Sequence, residues 1–300
     1  MSLSIEEAIA RVPQWANEEN LKISPLTGGI TNENFRIEVN GDLFVLRIPG
    51  ADTELLGIDR AVECTVSQMV GEIGIGPKVF YVIEPEGYLA TSFIEGKLPS
   101  PKELGTKENI RRVAETIARV HKLDPIPETF SPFRVVEDSA EIARRFNVDF
   151  PDNFSWLVEQ MNAAENALKK TPFTPKLCHN DLLNANFLDD GQIRILDWEY
   201  AGMGDPLFDL ANFSVHHQFT DEQDSWLLEA YFGEVSDSNW ARLEILKIIS
   251  DFREAMWAMV QIGISKLDFD FRNYANTYFA RTEKGMKGEK WNEWLNEFDK

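Results

Sequence analysis

The sequence predicts an α+β protein of two lobes. A small amino-terminal lobe with an antiparallel sheet spans about residues 1–93, and a larger, mainly helical lobe spans 94–300. Three observations predict it. Alternating strand patterns, punctuated by tight-turn residues, crowd into the first stretch. Beyond residue 106 apolar residues recur at helical spacing instead. Within the helical part, one segment of loop, turn and strand carries oxygen-bearing side chains in a fixed order. At 300 residues, 43% hydrophobic and 27% charged, the chain is long enough for two lobes with a cleft between them.

The opening MSLSIEEAIARV reads as an amphipathic helix and lacks the basic-then-apolar layout of a signal peptide. FRIEV and LFVLRI then flank Asn40-Gly41-Asp42, a hairpin with an Asn-Gly turn. Ahead of it, Gly28 and Gly29 stand between hydroxyl and amide residues, with Thr31 and Asn32 following. Paired glycines let a backbone approach a ligand and point N–H groups at it, although alone they are usually a turn. Alternation places Arg47 on one strand face with Val45, where a cation is costly unless paired. Glu63, on the helix predicted over 58–72, is the expected partner. That helix stops at Gly74-Ile75-Gly76-Pro77, and KVFYVI and YLATSF read as strands.

In the second lobe helices are predicted over 106–123, weakly over 136–150, and over 153–170, 221–232, 238–264 and near 276–282. His121 reads as a packed or capping histidine. His216-His217 lack partners at metal spacing. The two cysteines, Cys64 and Cys178, lie far apart and fit packed thiols rather than a disulfide framework. No run of about 18 apolar residues occurs, so no membrane-spanning helix is expected. A net charge of −20 argues against nucleic acid and anionic lipid and mildly favours a cationic substrate.

The chemistry concentrates in LCHNDLLNANFLDDGQIRILDWEY, residues 177–200. Asp181 stands in a short polar loop, Asn186 comes five residues later, and a strand after the Asp189-Asp190-Gly191 turn delivers Asp197. Mg²⁺ prefers oxygen donors and commonly sits between one or two carboxylates and a substrate's phosphates. Base Asp181, then metal ligands Asn186 and Asp197, make up a phosphoryl-transfer constellation. Asp205 and Asp209 downstream read as helix caps or as braces for that loop.

HNDLLNAN followed by ILDWEYAGMGDPLFDLAN resembles the choline/ethanolamine kinase family, within the wider group of aminoglycoside phosphotransferases and protein-kinase-like folds. The resemblance implies a bilobal protein-kinase-like fold and an ATP- and Mg²⁺-dependent phosphotransferase acting on a small cationic alcohol. It implies that Arg47 and Glu63 orient the nucleotide phosphates, with Gly28, Gly29, Thr31 and Asn32 in the loop covering them. Phe93 and Ile94 become candidates for the adenine edge, at a hinge over 92–96. His179 resembles a structural residue that fixes the loop. In FREAMWAMVQ, Trp257 falls on an aromatic that lines the family's quaternary-ammonium pocket, while Glu254 stands where eukaryotic members carry a second Trp. Trp257, Tyr200 and Glu254, with Asp181, are therefore the expected acceptor-binding residues. Choline is the first expected acceptor; ethanolamine, thiamine, an aminoglycoside or an amino sugar stay open. A catalytically silent nucleotide-binding regulator is disfavoured, because base, metal ligands, strand Arg and helix Glu are all present. The expected setting is cytoplasmic, without nucleic acid or stable membrane association, and a homodimer is left open.

Overall fold

The computed structural model describes residues 3–18, 20–26, 32–50 and 52–300. In chain order, helix α1 (Ile5–Ala10) precedes strands β1 (Lys22–Leu26), β2 (Asn32–Val39) and β3 (Asp42–Pro49). Helix α2 (Arg60–Glu72) and strands β4 (Val79–Ile83) and β5 (Tyr88–Ser92) follow. Helices α3 (Pro101–Leu104), α4 (Lys107–Val120), α5 (Pro132–Arg145) and α6 (Phe154–Leu168) come next. Four three-residue strands then appear: β6 (Lys176–Cys178), β7 (Phe187–Asp189), β8 (Ile193–Ile195) and β9 (Gly202–Gly204). The chain continues with α7 (Pro206–His217), α8 (Asp221–Phe232), α9 (Asp237–Ile264), α10 (Phe271–Met286) and α11 (Trp291–Glu297). Two compact units result: residues 1–99 with 184–201, and residues 100–183 with 202–300.

The first unit is organised by an antiparallel sheet of order β1-β2-β3-β5-β4. The turn between β2 and β3 is Asn40-Gly41, with φ of 53° and 93°. Both residues are left-handed, as a two-residue turn that matches strand twist requires. One sheet face buries Ile37, Leu46 and Ile48 against Ala8, Val12 and Trp15 of the α1 region. Because side chains alternate, Arg47 must leave the opposite face, where α2 lies. Helix α2 starts cleanly, its Asp59 carboxylate accepting from the Ala61 and Val62 amides.

Strands β7 and β8 form a hairpin that belongs to this unit. Lys97 and Asp189 exchange backbone hydrogen bonds of 2.9 and 2.8 Å, and the Ile195 amide donates to the Ile75 carbonyl at 3.1 Å. Gly76 makes the approach possible. A Cβ there would sit 2.7 Å from Val70 Cγ2 and 3.3 Å from the Trp198 indole nitrogen.

In the second unit α9 is the central element, 28 residues long and packed against α5, α7, α10 and α11. Its buried residues run round most of the helix, including Phe252, Arg253, Glu254, Met256, Met259 and Gln261. Helix α7 is buried on nearly every side. The weak periodicity over 136–150 corresponds to α5, shifted earlier by the helix-starting Pro132, and the pattern near 276–282 is the middle of α10. Strands β1, β6 and β9 and helices α3 and α11 have no counterpart in the sequence expectations; most are too short for a period to show. No described helix is long and apolar enough to cross a membrane.

Leu46 is the inward neighbour that fixes which way Arg47 points. Leu46→Ala should lower unfolding free energy by about 2–5 kcal/mol, read from the urea midpoint at unchanged m-value.

Candidate active site

The first unit gathers a buried ion cluster. Arg47 Nη1 lies 2.6 Å from Glu63 Oε1, while its Nη2 reaches Asp197 Oδ1 at 2.5 Å and Glu199 Oε2 at 2.9 Å. Arg60 Nη1 bridges Glu63 Oε2 at 2.5 Å and Glu199 Oε2 at 3.2 Å. Asn32 closes the ring: its amide donates to Glu199 and its oxygen accepts from Arg60. Glu63 and Glu199 are buried. Three carboxylates thus face two guanidinium groups. Burial opposes the charge of Arg47, but Asp197, Glu63 and Glu199 more than offset it and hold its pKa above the ordinary arginine value. Burial, with Asp197 nearby, pushes Glu199 up to about 7.

The hairpin sets Asn186 beside Asp197. The Phe187↔Ile195 register continues into a bond from the Leu196 amide to the Asn186 carbonyl, 2.8 Å long. Asp197 then takes a left-handed backbone, φ 63°, which turns its carboxylate out of the strand pattern. Such a conformation is strained for a residue with a Cβ, and Asp is among the few that tolerate it. Phe93 continues β5: its amide donates to the Leu43 carbonyl and its ring lies under the Arg36 guanidinium. Ile94 is half-buried beside it. Gly28, Gly29 and Thr31 lie outside the described residues.

In the second unit the polar loop is held from below. Asp209 on α7 accepts from the His179 amide at 2.9 Å and the Asn180 amide at 2.7 Å, and contacts His121 Nε2 at 3.0 Å. Burial would raise this carboxyl, but His121, His179 and the backbone donors keep it below the usual range. His121 in turn meets the Tyr231 hydroxyl at 2.6 Å. Asn212 accepts from the Leu182 amide and donates to Ser250. His179 Nδ1 accepts from the Asp181 amide at 3.1 Å, a side-chain-to-backbone bond that shapes the loop. Asn180 is left-handed, φ 66°. Asp205 caps α7 and pairs with Arg242. Among the described residues, His121, Cys178 and Asp209 bring three metal-capable atoms within 4.8 Å, yet their bonds are those of a packed brace.

Asp181 itself faces α9. Its Oδ1 accepts from Arg253 Nη1 at 2.9 Å, and the same guanidinium nitrogen lies 3.4 Å from Glu254 Oε2. Glu254 Oε1 accepts from the Tyr274 hydroxyl at 2.7 Å. Trp257 is half-buried and meets Phe271 and Tyr274 edge-on, with centroids 5.8 and 5.9 Å away. Phe269 adds a fourth ring. Burial raises the Asp181 carboxyl above its ordinary value, and Arg253 partly offsets this.

A sequence model of the choline/ethanolamine kinase family matches residues 23–226. The chain belongs to the choline/ethanolamine kinase family. A crystal structure of a choline/ethanolamine kinase family protein from Mesorhizobium loti superposes with a TM-score of 0.84 at 32% identity, covering 98% of this chain and 97% of that one. Choline kinase LicA from Streptococcus pneumoniae gives 0.79 at 22% identity, over 94% and 98%. Ethanolamine kinase 2 from Rattus norvegicus is 27% identical over 89% of this chain and 77% of its own length. This chain is therefore a small-molecule kinase whose reaction is phosphoryl transfer to the alcohol group of an amino alcohol.

The donor set beside the ion cluster would fit a divalent cation. Asn186 and Asp197 offer oxygen only, and Asp197 keeps a third of its side chain exposed while only Oδ1 is engaged by Arg47. Three carboxylates facing two guanidinium groups would give the cluster a net negative charge once Glu199 ionises, which suits a hard cation. Of the residues singled out from the sequence, the structure joins Asn32, Arg47, Glu63 and Asp197 in one cluster, and Asp181, Glu254 and Trp257 along α9. Tyr200 is buried and grouped with the first unit. Arg60, Glu199, Arg253 and Tyr274 carry contacts that the sequence reading assigned to none of them. Arg253 stands on a largely apolar face of α9, the one sequence signal that could have singled it out; Arg60, three residues before Glu63, reads as an ordinary helix pair.

Asp209→Ala removes the acceptor for two buried amides. It should cost at least about 2 kcal/mol of stability and most of the turnover, measured by chemical denaturation and by steady-state ADP release.

Proposed function

We propose that this kinase transfers the γ-phosphoryl group of ATP to the hydroxyl of choline. The observation that carries the choice is the ring cluster of Trp257, Tyr274, Phe271 and Phe269 beside Glu254. Quaternary ammonium groups cannot donate hydrogen bonds and are recognised by aromatic faces. Glu254 already accepts from Tyr274 and lies against Arg253, so it supports the rings more than it offers a free counter-ion.

In this reading Asp181 accepts the hydroxyl proton and aligns the oxygen for in-line attack. Arg47, braced by Glu63, exchanges its Asp197 contact for phosphate oxygens. Asn186 and Asp197 would hold Mg²⁺, which would supply charge neutralisation on the phosphates. Asn32, at the start of β2, faces the phosphates, and Phe93 and Ile94 border the purine. Asp209 and Asn212 keep the loop that bears Asp181 in place. Ethanolamine is the second reading, supported by the acidic Glu254 in place of a second aromatic and by the ethanolamine kinase likeness.

The test is coupled ADP release with Mg²⁺–ATP and either choline or ethanolamine. Choline should give the higher kcat/KM, and Asp181→Asn should reduce turnover at least about 100-fold. Trp257→Ala should raise the choline KM roughly 2- to 30-fold, as the loss of one cation–π contact implies, with the ATP KM unchanged. A higher kcat/KM for ethanolamine, insensitive to Trp257→Ala, would replace choline by the second reading.

A further inference from the structure

We infer that Arg253 is a positioning residue for Asp181: its guanidinium holds Oδ1 of the base and so orients the carboxylate toward the acceptor hydroxyl. The inference rests on the reading of Asp181 as base given above. Four observations support it.

Arg253 is 2% exposed, in the middle of the longest helix, where a cation survives only if it is paired. Its Nη1 lies 2.9 Å from Asp181 and 3.4 Å from Glu254, so one guanidinium nitrogen bridges the two carboxylates and holds them close together. Glu254 is itself tethered by the Tyr274 hydroxyl on α10, which sets where the guanidinium can rest. The loop from Asp181 to Asn186 reads Asp-Leu-Leu-Asn-Ala-Asn and contains no cation of its own. The charge that steadies the base therefore comes from α9, 72 residues away in sequence.

The consequence is a base under opposed influences. Burial and the Glu254 carboxylate raise the proton affinity of Asp181; Arg253 lowers it. His216 of α7 also faces the site but is pushed down to about 3, chiefly by burial, and so stays neutral at working pH. The Asp181 amide is tied to His179, and its carboxylate is bonded to Arg253. A guanidinium holds a carboxylate in a defined plane, whereas an ammonium acts as a point charge.

The experiment is the pH profile of kcat/KM for the acceptor, measured on the full-length enzyme with Mg²⁺–ATP and both choline and ethanolamine. Arg253→Gln removes the charge that keeps Asp181 ionised, so the acid limb should move to higher pH by about 1–3 units. Its kcat should fall while the ATP KM holds, and Arg253→Lys should restore the limb more fully than kcat. Glu254→Gln removes the neighbouring carboxylate, so its acid limb should move the other way, to lower pH. In an Asp181→Asn background, Arg253→Gln should cause no further loss of turnover. Opposite shifts are a signature that a merely structural arginine cannot produce. If Arg253→Gln does not fold, the direction of the Glu254→Gln limb decides. Limbs that stay in place, or losses that add in the Asp181→Asn background, overturn the inference. An active Asp181→Asn enzyme overturns both this inference and the base assignment; an inactive one with unmoved limbs overturns this inference alone.

Discussion

The ion cluster around Arg47 is the interaction on which the first unit depends. Arg47 on β3 meets Glu63 on α2, and through Asp197 and Glu199 it meets a segment 150 residues further along the chain. Taking such charges out of water costs several kcal/mol each, and only close, multiple pairing repays it. The consequence is mutual dependence. The sheet, the helix and the β7–β8 hairpin are correctly placed only together, because removing one partner strands the rest as buried charge. That same arrangement leaves Asp197 partly exposed on a strained backbone, as the proposed cation and phosphate site requires.

The second unit follows a different strategy. Its loop is shaped by neutral and charge-assisted bonds to backbone amides: Asp209 to residues 179 and 180, Asn212 to residue 182, and His179 to residue 181. These brace the backbone of the loop. The carboxylate is governed separately by Arg253 and Glu254 from α9. Backbone position and carboxylate orientation are thus set from two helices, α7 and α9.

Much of this was legible in the sequence. The Asn40-Gly41 hairpin declared itself through a turn that only such residues form. Arg47 declared itself as a cation on a strand that had to be paired. The hairpin that sets Asn186 beside Asp197 was readable from the order and spacing of its residues. What was illegible depends on long-range packing. Nothing local tells that Arg60 would join Glu199, since their pairing is set by how α2 docks on the β7–β8 hairpin. Glu254 invited a reading as a free anion for the acceptor; its sharing between Arg253 and Tyr274 is fixed by the packing of α10 on α9. Strands of three residues such as β6 and β9 show no period to detect.

The most direct test of the central claim is isothermal titration of Mg²⁺–ATP into the wild-type protein and into Arg47→Lys. Lysine keeps the charge but cannot span Glu63, Asp197 and Glu199 as a planar fork does. If the cluster exists to present Arg47 and Asp197 to the nucleotide phosphates, the folded variant should bind at least about tenfold more weakly, the loss expected for one charge-assisted hydrogen bond. Unchanged affinity in a variant of unchanged fold would contradict the account and reduce the cluster to a structural brace.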